Sequence, residues 1–243
     1  MDKRVSLQPA YVLHTRPFQN SSLLVDFFTI DYGRVKAVAK GARGAKSRIR
    51  PLLQPFHPLL ISLSGRTDLK TLTAAESMHE AMRLEGTRLY SGLYVNELLI
   101  RLLQNQEEHR ALYGFYQDTL VALQGASRVD TILRHFEFSL LVELGYGINF
   151  ESESQQTLLA EQTYQFDPKQ GFYVATEPDA RQGFRGSDLI AIRESRLDEP
   201  EVALAAKRLA RMALAEHLGM TPLTSRELFT SRRTVAVANG QQD

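Results

Sequence analysis

The 243-residue chain contains no cysteine. That absence excludes disulfides, thiolate metal sites and thiol nucleophiles, and it is compatible with a reducing cytoplasm. No stretch approaches the roughly 20 apolar residues that a membrane-spanning helix needs. The start, Met1-Asp2-Lys3-Arg4-Val5-Ser6, has no apolar core behind its charges and is unlike a secretory signal. Catalytic signatures are missing as well. The six histidines (His14, His57, His79, His109, His135, His217) are scattered, with no pair at metal-ligand spacing. There is no G-x-S-x-G elbow. Gly41-Ala-Arg-Gly44-Ala-Lys46-Ser47 has two residues between its glycines where a Walker loop has four, and it opens no helix. These absences predict a binding protein with no catalytic residue, no metal and no cofactor. Carboxylates brought together by folding stay outside what sequence shows.

The most informative absence is local. From Tyr32 to Thr67 there is no acidic residue, while Arg34, Lys36, Lys40, Arg43, Lys46, Arg48 and Arg50 are basic. Residues 1–80 hold 12 Lys+Arg against 6 Asp+Glu, and the remainder holds 17 against 22, in a chain of formal net charge +1. A positive end on a mildly acidic body points to a polyanion, most often nucleic acid; a solvated face or flexible loop is the plainer alternative. In Gly33–Gly41, Val35, Ala37 and Ala39 alternate with Arg34, Lys36 and Lys40, so a strand would carry one apolar face and one cationic row. Ser22–Thr29 reads as a doubly apolar strand, joined to it by a turn at Asp31–Arg34. Ala42–Arg50 lacks periodicity and reads as a mobile basic loop ending at Pro51.

Periodicity divides the chain. Pro9–Thr15, Ser22–Thr29, Arg34–Gly41, Pro58–Ser64 and Lys70–Ala75 read as five short strands of a small barrel or sandwich. From about Leu84 the pattern is helical. Val95, Leu98, Leu99, Leu102 and Leu103 form one stripe, with Glu97 and Arg101 available as a pair one turn apart. A second helix is predicted over Glu108–Leu123. A third begins at Asp130 as N-cap, stops at Gly145 and carries Ile132, Phe136, Leu140 and Leu144 on one stripe. Residues 151–162 read as a loop, Thr163–Phe166 and Phe172–Ala175 as a small hairpin, and Ser187–Glu194 and Glu201–Leu218 as helices. The predicted class is α+β, with domains at 1–80 (barrel), 81–150 (helical), 151–185 (inserted hairpin module), 186–230 (helical again) and 231–243 (flexible tail).

Two helical features carry alternatives. In Glu201–Leu218, Val202, Ala206, Leu209 and Ala213 form an apolar stripe, and Lys207, Arg208 and Arg211 cluster elsewhere. They are either a solvated face or a second contact for nucleic acid or an acidic peptide. Arg134 lies inside an apolar helix, where it either holds a peptide carboxylate beside a groove or pairs with Glu137 or Glu143. Among the aromatics of the strand region (Tyr11, Phe18, Phe27, Phe28, Tyr32, Phe56), most must be core, and one or two could stack on bases.

Several runs resemble the bacterial RecO family of recombination mediators. They are Tyr11-Val-Leu-His-Thr-Arg16-Pro17, Ser21-Ser-Leu-Leu-Val-Asp-Phe-Phe-Thr29 and Gly33-Arg-Val-Lys-Ala-Val-Ala-Lys40-Gly41-Ala-Arg43. Further on come Leu89–Leu99, Arg134–Leu141 with Leu144-Gly-Tyr-Gly147, Arg208–Leu214 and Pro222–Phe229. The likeness runs in order over about residues 7–230. It implies an amino-terminal five-stranded OB-fold barrel and a mostly helical domain with an inserted module. It also implies binding of single- and double-stranded DNA, annealing of complementary strands, and work with RecR to load RecA onto strands coated by single-strand-binding protein (SSB). The family engages the acidic, hydrophobic C-terminal tail of SSB, and the resemblance assigns that site to Arg134, Phe136, Leu140 and Leu141. The protein is expected to be cytoplasmic and nucleoid-associated, with no membrane contact, and monomeric on its own. The chain departs from the pattern in two places. It lacks the four cysteines with which some members hold zinc in the inserted module, so packing must hold the 163–175 hairpin. It also has Asn20 where many members carry an acid. An RNA-binding accessory protein and an interaction scaffold with an incidental basic loop are the alternatives from other classes.

Overall fold

A strand that is apolar on both sides has to be covered on both sides, and Ser22–Thr29 is. In the computed structural model, which describes residues 4–151, 157–175, 183–225 and 227–229, Val25 and Phe27 of this strand point into a closed barrel while Phe28 packs against a helix. The barrel strands are β1 (Arg4–Phe18), β2 (Ser22–Thr29), β3 (Gly33–Ala39), β4 (Pro58–Ser64) and β5 (Leu69–Ser77), in the order β1-β2-β3-β5-β4. β1 closes the sheet by pairing with both β2 and β4, and β3 pairs in parallel with β5. This is the OB-fold topology. The β2–β3 turn needs Gly33, because φ is +53° there and a Cβ would lie 1.7 Å from the Glu107 carbonyl oxygen.

Helices α1 (Gly86–Leu102) and α2 (Arg110–Gln124) belong to the same packed unit as the barrel, together with residues 222–229. Tyr113 and Tyr116 of α2 lie edge-on or tilted against Tyr11 and Phe28. Tyr116 donates to Asn96 Oδ1 (2.8 Å), and Asn96 donates to the Leu13 carbonyl (3.0 Å), so a buried polar relay fastens α1 and α2 to β1. Burial pushes the Tyr11, Tyr113 and Tyr116 phenols up, which keeps them neutral. Glu97 and Arg101 hold the returning segment. The Glu97 carboxylate accepts from the Thr224 and Ser225 amides (both 2.8 Å) and from Ser225 Oγ (2.5 Å), and Arg101 donates to the Pro222 carbonyl (3.1 Å).

The second unit spans residues 126–221. It contains α3 (Val129–Glu143), the sheet β7-β6-β8 (β6 Thr163–Asp167, β7 Gly171–Val174, β8 Phe184–Arg185), α4 (Gly186–Arg193) and α5 (Pro200–Leu218). α3 starts earlier than expected. Arg128 is the N-cap, and Asp130 sits in the first turn, where it pairs with Lys207 instead of capping. α3 ends in a Schellman motif: Gly145 adopts φ +81°, its amide donates to Val142 O (3.0 Å), and the Tyr146 amide reaches Leu141 O (2.8 Å). The hairpin gains a third, two-residue strand, and Phe150, Phe166, Phe172 and Phe184 pack around it. Parts of the expected module (152–156 and 176–182) and the whole 231–243 tail lie outside the described residues. No described helix is long and apolar enough to cross a membrane.

Candidate nucleic-acid interface

Strand register decides which cations reach solvent. Two rungs run across the outer face of the barrel, His14–Asp26–Lys36–Leu69 and Arg16–Leu24–Val38–Thr71. The intervening rung, Thr15–Val25–Ala37–Lys70, turns inward, and Lys70 is accordingly 3% exposed, its ammonium donating to the Gly65 carbonyl (3.1 Å). Lys36 is half-buried, and Lys40 is exposed at the end of β3.

Arg34 is different from its neighbours. Nε and Nη2 both donate to Asp26 Oδ1 (3.0 and 2.8 Å), and Nη1 donates to the Ile100 carbonyl and, at 3.4 Å, to that of Leu103. Its side chain is 12% exposed. Period two correctly puts Arg34 outside the barrel wall, but α1 covers it, so it is a strut and not a phosphate contact. Its indirect service is electrostatic: it neutralises Asp26, an acid lying on the same face as Lys36.

The 41–57 segment is more ordered than its aperiodic sequence suggests. Successive turns are closed by Gly44→Gly41, Ser47→Gly44, Leu52→Ile49 and Leu53→Arg50 backbone bonds of 3.0–3.2 Å. Ala42 and Leu53 are buried in the barrel core, and Ile49 and Leu52 pack against it. The apolar anchors leave Lys46, Arg48 and Arg50 outside, all exposed. Arg43 is exposed too; its amide donates to Ser21 O (2.8 Å) and its guanidinium to Gln19 O (3.2 Å), tying the loop to the β1–β2 turn. None of Lys36, Lys40, Arg43, Lys46, Arg48 and Arg50 pairs with a carboxylate among the described residues.

The expected aromatic platforms are mostly spent on packing. Tyr11, Phe27, Phe28 and Phe56 are buried, whereas Tyr32 and Phe18 are partly open. His14 and Arg16 join the face without having been expected there; with Phe18, one of the expected aromatics, they alternate outward along the far end of β1. The expected strand stops at Thr15; a proline is uncommon inside a ladder, yet Pro17 sits opposite Leu23 within β1. Extending the period by two steps would have found them.

The cations predicted in the second unit are largely engaged. Lys207 pairs with Asp130 at 3.0 Å. Burial and hydrogen bonding act in opposite senses on Asp130; Lys207 prevails and its carboxyl lies below the ordinary value. The Arg208 guanidinium lies 3.9 Å over the Phe184 ring and donates to the Gly183 carbonyl, and burial lowers its pKa. Arg211 is exposed. Arg134 is 3% exposed and pairs with the equally buried Glu137 at 2.5 Å, while its Nε and Nη1 are buried without an acceptor. Phe136, Leu140 and Leu141 are core residues, each at most 1% exposed, and form no open groove. Among the described residues no three His, Cys, Asp or Glu are grouped to hold a metal.

Comparison with known proteins matches the chain over most of its length. Models of the recombination protein O N-terminal and C-terminal regions match residues 1–81 and 83–227. The chain is 44% identical over 230 residues to the DNA repair protein RecO of Cellvibrio japonicus (strain Ueda107), covering 93% of this chain and 98% of that one. It is 41% identical over 228 residues to the DNA repair protein RecO of Aliivibrio fischeri (strain MJ11), covering 93% and 96%. It is 43% identical over 225 residues to that of Yersinia pestis (strain Pestoides F), covering 91% and 93%.

Proposed function

From the premise that the chain belongs to the RecO family of DNA repair and recombination proteins, we propose that it is a recombination mediator that makes and breaks no bond. It binds single- and double-stranded DNA and anneals complementary strands. With RecR it helps load RecA onto SSB-coated single strands, working without a cofactor in the cytoplasm at the nucleoid. The observation that carries this reading is the run Lys40, Arg43, Lys46, Arg48 and Arg50. It is exposed, has no carboxylate partner among the described residues and is fixed to an OB-fold barrel by buried apolar anchors. Lys36, Arg16 and His14 extend it across the outer face, and Phe18 is the aromatic placed to stack. Annealing asks only that two polyanions be held together with their charge neutralised.

For the SSB tail the support is narrower. Arg134 keeps two buried guanidinium nitrogens with no acceptor among the described residues, the kind of unmet donor that a terminal carboxylate satisfies. Phe136, Leu140 and Leu141 hold α3 in the core and are not proposed as contacts.

The test is binding and annealing of SSB-coated strands by wild type and by the Lys40→Glu, Arg43→Glu double variant, with intact SSB and SSB lacking its tail. The double variant should bind single strands more weakly, with a log–log salt slope shallower by about 0.7 for each phosphate it no longer neutralises. Annealing of coated strands should require the tail. A double variant with wild-type affinity and slope would remove this face from the site. Stronger binding to RNA than to DNA of equal length would replace the DNA reading.

A further inference from the structure

In the second unit a cleft of about 310 Å³ opens between the segment that follows α3, the β6–β7 turn and the end of α5. Nothing in the proposed DNA face uses it. One wall is Tyr146, 51% exposed, its ring stacked on His217 at 3.8 Å and 18°. The Schellman bond from its amide to Leu141 pins the backbone beneath it. The β6–β7 turn also lines the cleft, fixed by two bonds from the Lys169 and Gln170 amides to Asp167 Oδ1 (2.8 and 3.0 Å). Asn149 and Gln170 line the cleft, and neither side chain hydrogen-bonds to another described residue. Lys169 adds an ammonium, held by Glu216 at 3.2 Å.

We propose that this cleft receives one unstacked base of a single-stranded nucleic acid, stacked on Tyr146 and read by the Asn149 and Gln170 amides. The inference rests on the nucleic-acid reading above. Each component has a role in such a site. A flat ring braced by a second ring is a preorganised stacking platform, and every base offers a π-face to it. Carboxamides supply the donor–acceptor pair that a base edge presents.

Charge argues for a base and against a phosphate track. Residues 126–221 hold 10 Lys+Arg against 15 Asp+Glu, so a polyanion gains little here. A guanidinium from a partner protein would also stack on Tyr146, but Lys169 stands at the cleft, and Glu216, the carboxylate that would attract it, is already paired. The contact is therefore one of stacking, insensitive to salt.

The sequence contains no tryptophan, so Tyr146→Trp places a single indole in the cleft of the full chain. We expect a labelled oligothymidylate to quench the indole emission in step with binding followed independently by anisotropy of the label. Tyr146→Ala should weaken single-strand affinity on the order of tenfold with the salt slope of wild type, and Tyr146→Phe should retain affinity. Emission that stays constant while the oligonucleotide saturates overturns the proposal, as does wild-type affinity in Tyr146→Ala. Quenching by an acidic peptide and not by the oligonucleotide would make this a peptide site and overturn it equally. A wild-type chain that binds no oligonucleotide at low salt overturns both readings together, whereas binding with a silent indole overturns the cleft alone.

Discussion

The basic run of the barrel unit and most cations of the second unit treat positive charge in opposite ways, with Arg34 and Arg211 as the exceptions on either side. In the barrel unit, Lys40, Arg43, Lys46, Arg48 and Arg50 stand in solvent with no carboxylate partner among the described residues, raised on loops and strands whose apolar residues are buried below. In the second unit, Lys207, Arg185, Lys169 and Arg134 each meet a carboxylate, and Arg208 is spent on a ring and a carbonyl. A count of basic residues would rate the α5 cluster as a second binding patch. Availability separates them: a cation that already has an intramolecular partner gains little from a phosphate and must be freed before it can bind one.

That contrast can be broken most forcefully at its most buried point. Glu137→Ala strands Arg134 in the core, and the second unit should lose about 3–5 kcal/mol in denaturant unfolding. Replacing both partners with apolar residues (Arg134→Met with Glu137→Leu) should restore most of that stability. A loss below about 1 kcal/mol in Glu137→Ala would mean that Arg134 is solvated in solution.

Arg34 sharpens the comparison inside the barrel unit, because it is a cation of the basic row that behaves like those of the second unit. Arg34→Ala should cost about 2–3 kcal/mol and leave the DNA salt slope as in wild type. Arg34→Lys should not rescue it, since one ammonium cannot serve Asp26 and two carbonyls at once. A slope reduced as in the Lys40 and Arg43 variants would return Arg34 to the phosphate-contacting row.

The pH dependence of the barrel unit should show the same logic for an acid. Burial pushes the Glu97 carboxyl up, but hydrogen bonds from Ser225 and Thr224 outweigh it, and its pKa lies below the ordinary 4.5. A depressed folded pKa contributes stability that is present above the unfolded value and lost as pH falls through the folded one. Acid should therefore weaken the 222–229 contact, and Glu97→Gln should flatten that part of the stability–pH curve. The smallest effect is expected at Lys207: Lys207→Ala should change stability by no more than about 1 kcal/mol and leave DNA affinity unchanged. A clear drop in affinity would mean that the pair with Asp130 opens to receive phosphate.

Much of the fold was legible because it is written in short periods. Short apolar runs with turn signals between them marked all five barrel strands, and the Val202, Ala206, Leu209 and Ala213 stripe on α5 is buried as its spacing requires. What could not be read depends on partners remote in the chain. Arg34 looks like Lys36 until its acceptors are known, and two of these come from residues 66 and 69 positions later. The anchors of the basic loop, Ala42, Ile49, Leu52 and Leu53, are too irregular to form a period. β8 has two residues and no pattern at all. Phe136, Leu140 and Leu141 show the converse error: helical spacing marks a buried stripe, and an apolar groove beside a cation has the same signature. Tyr146 and His217 stack across most of the second unit's sequence, and neither residue announces the other.

The change from strands to helices near residue 80 marks a change of pattern; the packed unit continues through α1 and α2 to residue 125 and takes up the chain again at 222. The Glu97 and Arg101 bonds that hold the returning segment thus make residues 126–221 an insert within the barrel unit. On the ribosome the order of completion is inverted. The second unit has all of its residues before the first one does, although the barrel strands emerge earliest. A chain cut just after residue 221 would leave the second unit whole and deprive α1, near the middle of the sequence, of its final partners.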